Sequence, residues 1–186
     1  MFNKVRILLL LVIVFMANTG FSIHKPDSLL KLLNNSALKD KASVYIELAK
    51  YYQKTKQIDS ALYYFNESNK LAELFHDYKV LAENYYVLGE YYYKQNQFEK
   101  SKFYLSSYLK ITKPNSSFQY INTLNSLGSI LLKYNKNVNA LEYFLQANDL
   151  IKNKGYYLLE AKILGNIGVI DLNSEKNYNL ALEYFY

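Results

Sequence analysis

A small residue that recurs about every 40 positions is the feature that most constrains the fold of this chain. The residue is Ala49, Gly89, Gly128 and Gly168 in turn, and the separations are 40, 39 and 40 residues. Apolar side chains surround it with the i, i+3, i+4, i+7 spacing of one face of an α-helix. Self-similar units of this length are typical of stacked helices, so the sequence predicts an all-α repeat array.

Each unit is predicted to contain two amphipathic helices joined by a polar turn. The same pattern starts near Ala42 and continues to Tyr186, which predicts about four repeats over residues 42–186, the last of them incomplete. The third unit shows the pattern most clearly. Its apolar positions are Leu124, Leu127, Gly128 and Leu131 in the first helix and Ala140, Phe144 and Ala147 in the second, with Asn135 to Asn139 between the two sets.

The recurring glycines predict a close approach between the two helices of a pair. Glycine inside a helix costs about 1 kcal/mol relative to alanine, yet three of the six glycines occupy this one register position. A cost that recurs at one place indicates that a side chain there would clash. Ala61, Ala140 and Ala181 are predicted to supply the small side chains of the opposite helix.

These residues resemble the tetratricopeptide repeat family. Its first helix carries an aromatic, Leu, Gly, Tyr pattern, here Tyr85-Leu88-Gly89-Tyr92, and its second carries Ala-Phe-Ala, here Ala140-Phe144-Ala147. The unit of about 40 residues, rather than about 34, is similar to the longer variety of the family. The resemblance implies a right-handed superhelical α-solenoid of helix-turn-helix repeats whose first helices line a concave groove for a protein or peptide partner.

The same resemblance implies which side chains would face that groove. Side-chain amides offer a donor and an acceptor to a peptide main chain, and tyrosines offer flat contact area with a polar tip. An overall richness in Asn and Tyr is the alternative explanation for their presence. The predicted groove residues are Lys50, Tyr86, Glu90, Tyr93, Asn122, Asn125, Ser129 and Lys133, accompanied by Ile46, Lys162, Gly165 and Val169.

Composition argues against several other classes of function. The chain has no cysteine and two histidines, and Asp77 beside His76 favours helix capping over acid-base chemistry. Neither an enzyme, nor a metal site, nor a small-molecule cofactor is predicted. The net charge is +6, but Arg6 is the single arginine, so the bidentate grip on phosphate is missing and no nucleic-acid partner is predicted.

The N-terminus is predicted to be a signal peptide over residues 1–22. Lys4 and Arg6 precede an apolar run from Ile7 to Ala17, which is too short to span a membrane as a helix, and small residues suggest cleavage after Ser22. An uncleaved membrane anchor and a buried core helix are the alternatives. Residues 23–41 are predicted to form a leading helix that caps the array, opened by Pro26-Asp27-Ser28.

The predicted function is a protein-protein interaction scaffold, exported to the periplasm or secreted. The membrane is involved only through the N-terminal segment. The final residues, Leu180 to Tyr186, repeat core positions without a polar cap, and this predicts either that the polypeptide is a fragment or that further repeats follow. A repeat array behind a signal segment also resembles the extracytoplasmic repeat region of bacterial signalling proteins. That resemblance implies the alternative function, the sensor portion of a larger histidine kinase or transcriptional regulator truncated at residue 186.

Overall fold

The computed structural model describes residues 26–173, and within that range every regular element is helical. The predicted leader over residues 1–22, the second helix of the fourth repeat and Ala181 lie outside the described residues. Within residues 26–173 no helix combines the length and the apolar character that a membrane crossing needs. The all-α prediction is confirmed.

The helices alternate with short connections along the chain. A single 3-10 turn, Leu38–Asp40, follows the first helix. The α-helices are α1 (Pro26–Asn35), α2 (Lys41–Lys54), α3 (Ile58–Leu74), α4 (Tyr78–Lys94), α5 (Phe98–Ile111), α6 (Phe118–Lys133), α7 (Asn137–Ile151) and α8 (Tyr157–Asn173).

The chain divides into two compact units, residues 1–71 and 72–186. In the first unit α1 packs on α2, with Leu29 and Leu33 against Val44 and Leu48. Helix α1 begins at Pro26, as the Pro26-Asp27-Ser28 sequence predicts, and ends at Asn35. The hydroxyl of Ser68 on α3 donates to the Ala42 carbonyl of α2 at 2.8 Å, so these two helices also pair.

In the second unit α4 pairs with α5, α6 pairs with α7, and α8 packs on α7. The core runs through these contacts, with Ile121, Phe144, Ile151 and Ile163 all fully buried. Each burial of such a side chain contributes about 1.5 to 3 kcal/mol. The first helices α4 and α6 therefore each pack against the second helix of their own repeat, and α8 packs against the second helix of the preceding repeat.

The turns within the repeats share one backbone conformation. Lys56, Asn96 and Asn135 have φ angles of 61°, 56° and 55°, and they are 40 and 39 positions apart. A left-handed residue after the last helical turn redirects the chain, and asparagine tolerates that conformation better than most residues. The turn of the first repeat spans 55–57, and the third turn, predicted over Asn135 to Asn139, spans 134–136, since α7 already begins at Asn137.

The helix pairs approach closely at the recurring glycines. A Cβ atom placed on Gly128 would lie 2.7 Å from Cε1 of Phe144, and one placed on Gly89 would overlap the side chain of Leu105. Gly89 also receives a hydrogen bond at 2.9 Å on its carbonyl from the hydroxyl of Ser101. The side chain nearest each glycine is therefore a large core residue, which lies one turn beyond Ser101 for Gly89 and one turn beyond Ala140 for Gly128.

The other predicted small residues are also in the interior. Ala49, Ala61 and Ala140 are at most 2% exposed, and Gly168 is buried in α8. At the equivalent position of the second repeat, Ser101 is buried as well. A small side chain is thus present on both helices wherever the described pairs meet at this register.

Candidate functional site

Hydrogen bonds join the first helices of successive repeats along one face of the second unit. The Asn122 amide on α6 donates to the Tyr86 hydroxyl on α4 at 3.4 Å. One turn further on, the Ser126 hydroxyl donates to the Glu90 carboxylate at 2.9 Å. A hydrogen bond to a charged acceptor is stronger than a neutral one, so the second contact is the firmer link between α4 and α6.

The connection continues from α6 to α8 through asparagine. The Asn166 amide donates to the Asn125 side-chain oxygen at 3.1 Å and approaches the Ser129 hydroxyl oxygen at 3.3 Å. Ser129 in turn donates to the Asn125 carbonyl within α6 at 2.9 Å. We call the row that these contacts form the polar ladder; its residues are Tyr86, Glu90, Asn122, Asn125, Ser126, Ser129 and Asn166.

The residues of the polar ladder differ in solvent exposure. Asn125 and Ser126 are 8% and 3% exposed, whereas Asn122, Ser129 and Asn166 are half-buried. A buried amide whose oxygen already accepts a hydrogen bond has less capacity for a ligand than a half-buried one. Asn122 is therefore better placed than Asn125 to meet an incoming partner.

Tyr86 is held against the fold by its ring and by its hydroxyl. Its ring centroid lies 5.8 Å from that of Tyr108. Burial, reinforced by the negative charge of Glu90, raises the pKa of Tyr86 to about 12, although the hydrogen bond from Asn122 acts in the opposite direction. Tyr86 thus remains a neutral phenol at the start of the ladder throughout the physiological pH range.

We expect the Tyr86→Phe variant to lose less stability than the wild type between pH 10 and pH 12. In the wild type the folded state keeps the Tyr86 proton up to a pH of about 12, whereas the unfolded chain releases it near pH 10. The contribution of the neutral phenol to the free energy of unfolding is therefore complete below pH 10 and is lost as the pH rises towards 12. One proton corresponds to a slope difference of up to about 1.4 kcal/mol per pH unit. Urea unfolding at a series of pH values measures it, and equal slopes for both proteins would contradict the assignment.

One end of this face is aromatic and basic. The Tyr93 and Phe98 rings meet edge to face with centroids 6.0 Å apart, and the Lys133 ammonium lies 4.4 Å from the Phe98 ring centroid. On α8, Lys162 and Val169 are exposed and Gly165 is half-buried. Among the predicted groove residues, the structure brings Tyr86 of α4 together with Asn122 of α6.

Two predicted groove residues belong to α2 in the first unit. Ile46 is 2% exposed and is a core residue, so its assignment to an open groove is wrong. Lys50 forms an ion pair with Glu47 at 2.9 Å, one helical turn away. Exposed pairs of this kind contribute little to stability, typically below 1 kcal/mol.

Two ladder members were missed by sequence reasoning. Ser126 and Asn166 are 40 positions apart, one residue beyond the predicted groove positions Asn125 and Gly165. Polar residues that recur at one register position in successive first helices were the available signal. Without a neighbouring helix to compare, that signal does not show which side chains bond to each other.

No group of three or more acidic, histidine or cysteine side chains that could hold a metal ion occurs within residues 26–173.

Asp77 caps α4, since its carboxylate accepts from the Val80 amide at 3.1 Å, and this confirms the predicted capping role. An open cleft of about 620 Å³ runs between α5 and α7 over Leu127 and Leu131.

Comparison with known proteins supports the fold. No protein-family model and no curated protein sequence matches this chain. Among solved structures, BtubC (BKLC) from P. vanneervenii matches 85% of this chain with a TM-score of 0.64 at 20% identity. Aspartyl phosphate phosphatase F from Bacillus subtilis matches 99% of it with a TM-score of 0.62 at 19% identity.

A third similar structure is YrrB, which is described as a tetratricopeptide repeat protein with an unusual peptide-binding site. It matches 84% of this chain, and 88% of its own length is covered, with a TM-score of 0.56 at 20% identity. The chain spans 65% of BtubC and 49% of the phosphatase. These similarities show that the chain has a helical repeat fold of the tetratricopeptide type.

Proposed function

We propose that this protein is an interaction scaffold that binds an extended peptide or protein segment on the face of its first helices. The observation that carries the proposal is the polar ladder, which lines up amide, hydroxyl and carboxylate groups across α4, α6 and α8. YrrB, which shares the fold, has a peptide-binding site according to its description. The proposal assigns the chain a role in binding and not in catalysis.

The chemistry of this face suits a polypeptide main chain. An extended peptide presents alternating N–H and C=O groups, and the half-buried asparagines can match both because each carboxamide has donors and an acceptor. The Asn122 amide makes a long contact of 3.4 Å to Tyr86, so exchanging it for a contact to a peptide costs little. Contacts of this kind support an affinity near the micromolar range, about 8 kcal/mol.

The test begins with peptides selected from a random-sequence phage library against residues 23–186. We expect Asn122→Ala to weaken the binding of the selected peptides about tenfold, the effect of losing about 1.4 kcal/mol. The matched control is Asn139→Ala on α7, which is exposed and lines the cleft between α5 and α7. Titration calorimetry measures both variants, and circular dichroism checks that their helicity is unchanged.

The control also separates two surfaces. If Asn139→Ala weakens binding and Asn122→Ala does not, the peptide occupies the cleft and the proposal is wrong. Selection of no peptide at all would contradict it too. A double variant of Tyr86→Ala with Asn125→Ala is also expected to abolish capture. Because Tyr86 packs on Tyr108 and Asn125 is buried, circular dichroism checks that its helicity stays intact.

We also propose that the protein is exported and that the leader is removed after Ser22. The support is the sequence pattern of residues 1–22. Mass spectrometry of the extracytoplasmic fraction tests this, and an intact N-terminus in the membrane fraction would favour an uncleaved anchor instead. The sensor-portion alternative stays a prediction, and the coding sequence after Tyr186 tests it.

A further inference from the structure

Glu90 supplies the carboxylate of the polar ladder, and no cation balances its charge among residues 26–173. It lies in α4, is half-buried, and accepts a hydrogen bond from the Ser126 hydroxyl at 2.9 Å. Glu67 of α3, which is also half-buried, has an ion pair with Lys70 one turn away, whereas Glu90 has none within the described range. Glutamine would accept the same hydrogen bond without the cost of partly burying a charge, so the fold alone does not require a carboxylate here.

Two lysines at the C-terminal ends of α4 and α6 leave this charge unneutralised. Lys94 follows Glu90 by four residues, the spacing at which Glu and Lys often pair, but it is exposed and has no ion pair in the part of the chain that the structure describes. The Lys133 ammonium lies over the Phe98 ring instead, 4.4 Å from its centroid. The negative charge of Glu90 also contributes to the raised pKa of Tyr86. An incoming partner therefore meets a negative charge where α4 and α6 adjoin.

Tyrosines flank Glu90 along α4. Tyr86 precedes it by four residues and Tyr93 follows it by three, so helical spacing places all three on one side of the helix. Both tyrosines are half-buried and keep part of their surface in contact with solvent. Aromatic rings beside a carboxylate suit a basic side chain, because the rings contact its aliphatic stem or guanidinium plane while the carboxylate pairs with its charge.

We propose that the peptide or protein segment bound on the face of the first helices carries a basic side chain, Arg or Lys, that pairs with Glu90 between Tyr86 and Tyr93. This inference rests on the proposed function and specifies its partner. The Ser126 hydroxyl engages one carboxylate oxygen and orients the group, and the other oxygen can accept from the partner. Hydrogen bonds between opposite charges are stronger than neutral ones, so Glu90 adds selectivity for charge to a face whose amides recognise a main chain.

The test compares Glu90→Gln with Glu142→Gln. Glutamine at residue 90 keeps the acceptor for Ser126 but removes the charge. Glu142 is an exposed residue of α7 in the cleft between α5 and α7, so its variant changes the net charge by the same amount at another surface. Peptides selected from the random library against the wild type are titrated against both variants by calorimetry. We expect these peptides to be enriched in Arg and Lys, and their binding to weaken about tenfold with Glu90→Gln but by less than about twofold with Glu142→Gln.

A double-mutant cycle locates the contact. Replacing the basic residue of a selected peptide by glutamine should weaken its binding to the wild type about tenfold. The same replacement should cause no further loss when the protein carries Glu90→Gln, because the interaction is then already absent. Additive losses would show that the two groups do not meet and would overturn the inference.

The outcomes separate this inference from the proposed function. If Asn122→Ala weakens binding while Glu90→Gln binds as the wild type does, the basic side chain is wrong and the peptide-binding function stands. If neither position affects binding, both proposals fall. Equal losses for Glu90→Gln and Glu142→Gln would overturn the inference, since the attraction would then come from overall charge. A lower melting temperature for Glu90→Gln, with weaker binding also of peptides that lack Arg and Lys, would overturn it too, because the carboxylate would then serve the fold.

Discussion

The Gly128→Leu variant is expected to unfold the α6–α7 pair. A Cβ atom at this position would already lie within 3.0 Å of three ring atoms of Phe144, before the rest of the leucine side chain is added. Phe144 is fully buried in the core. Overpacking of a core typically costs about 1 to 3 kcal/mol and occasionally more, and we expect the upper end here.

Thermal unfolding monitored by circular dichroism measures this effect. For a chain of this size about 3 kcal/mol lowers the melting temperature by roughly 6 to 12 °C. The matched control is Gly165→Leu, which makes the same substitution inside a helix at a position with open space. An unchanged melting temperature for Gly128→Leu would mean that the close approach of the two helices is wrong.

The Phe144→Ala variant is expected to lose about 3 to 5 kcal/mol of stability, as truncations of a buried phenylalanine do. Its ring fills the space beside Gly128 and belongs to the core that α6, α7 and α8 share. Alanine leaves a cavity that the surrounding helices can close only in part. Urea unfolding measures the loss as a fall in the denaturation midpoint.

Phe103→Ala is the control for that substitution, because Phe103 lies on α5 and is 64% exposed. Surface substitutions usually change stability by less than about 0.5 kcal/mol. Equal losses for the two variants would contradict the assignment of Phe144 to the core. A small loss for Phe144→Ala alone would show that the α6–α7 pair does not depend on this contact.

The repeat period predicted most of the fold. The spacing of Ala49, Gly89 and Gly128 predicts the helix pairs, and the turn residues fall where polar residues interrupt the apolar pattern. The third turn is shorter than its polar composition suggests, because Asn137 and Asn139 belong to α7. Asparagine is common both in turns and in first helical turns, so composition alone does not mark that boundary.

The face of the first helices was harder to predict than the core. Helical spacing places Asn122 and Asn125 on one side of α6, but it does not show that Asn166 bonds to one of them across 41 positions. It also does not distinguish the buried Asn125 from the half-buried Asn122. Contacts between helices depend on how neighbouring helices pack against each other, and the spacing of residues within one helix gives no information about that packing.

A crystal structure of residues 23–186 with a peptide selected from the random library tests the central claim most directly. The account predicts that the peptide lies extended across α4, α6 and α8, with contacts to Asn122 and Asn166. A peptide bound in the cleft between α5 and α7, over Leu127 and Leu131, would contradict it.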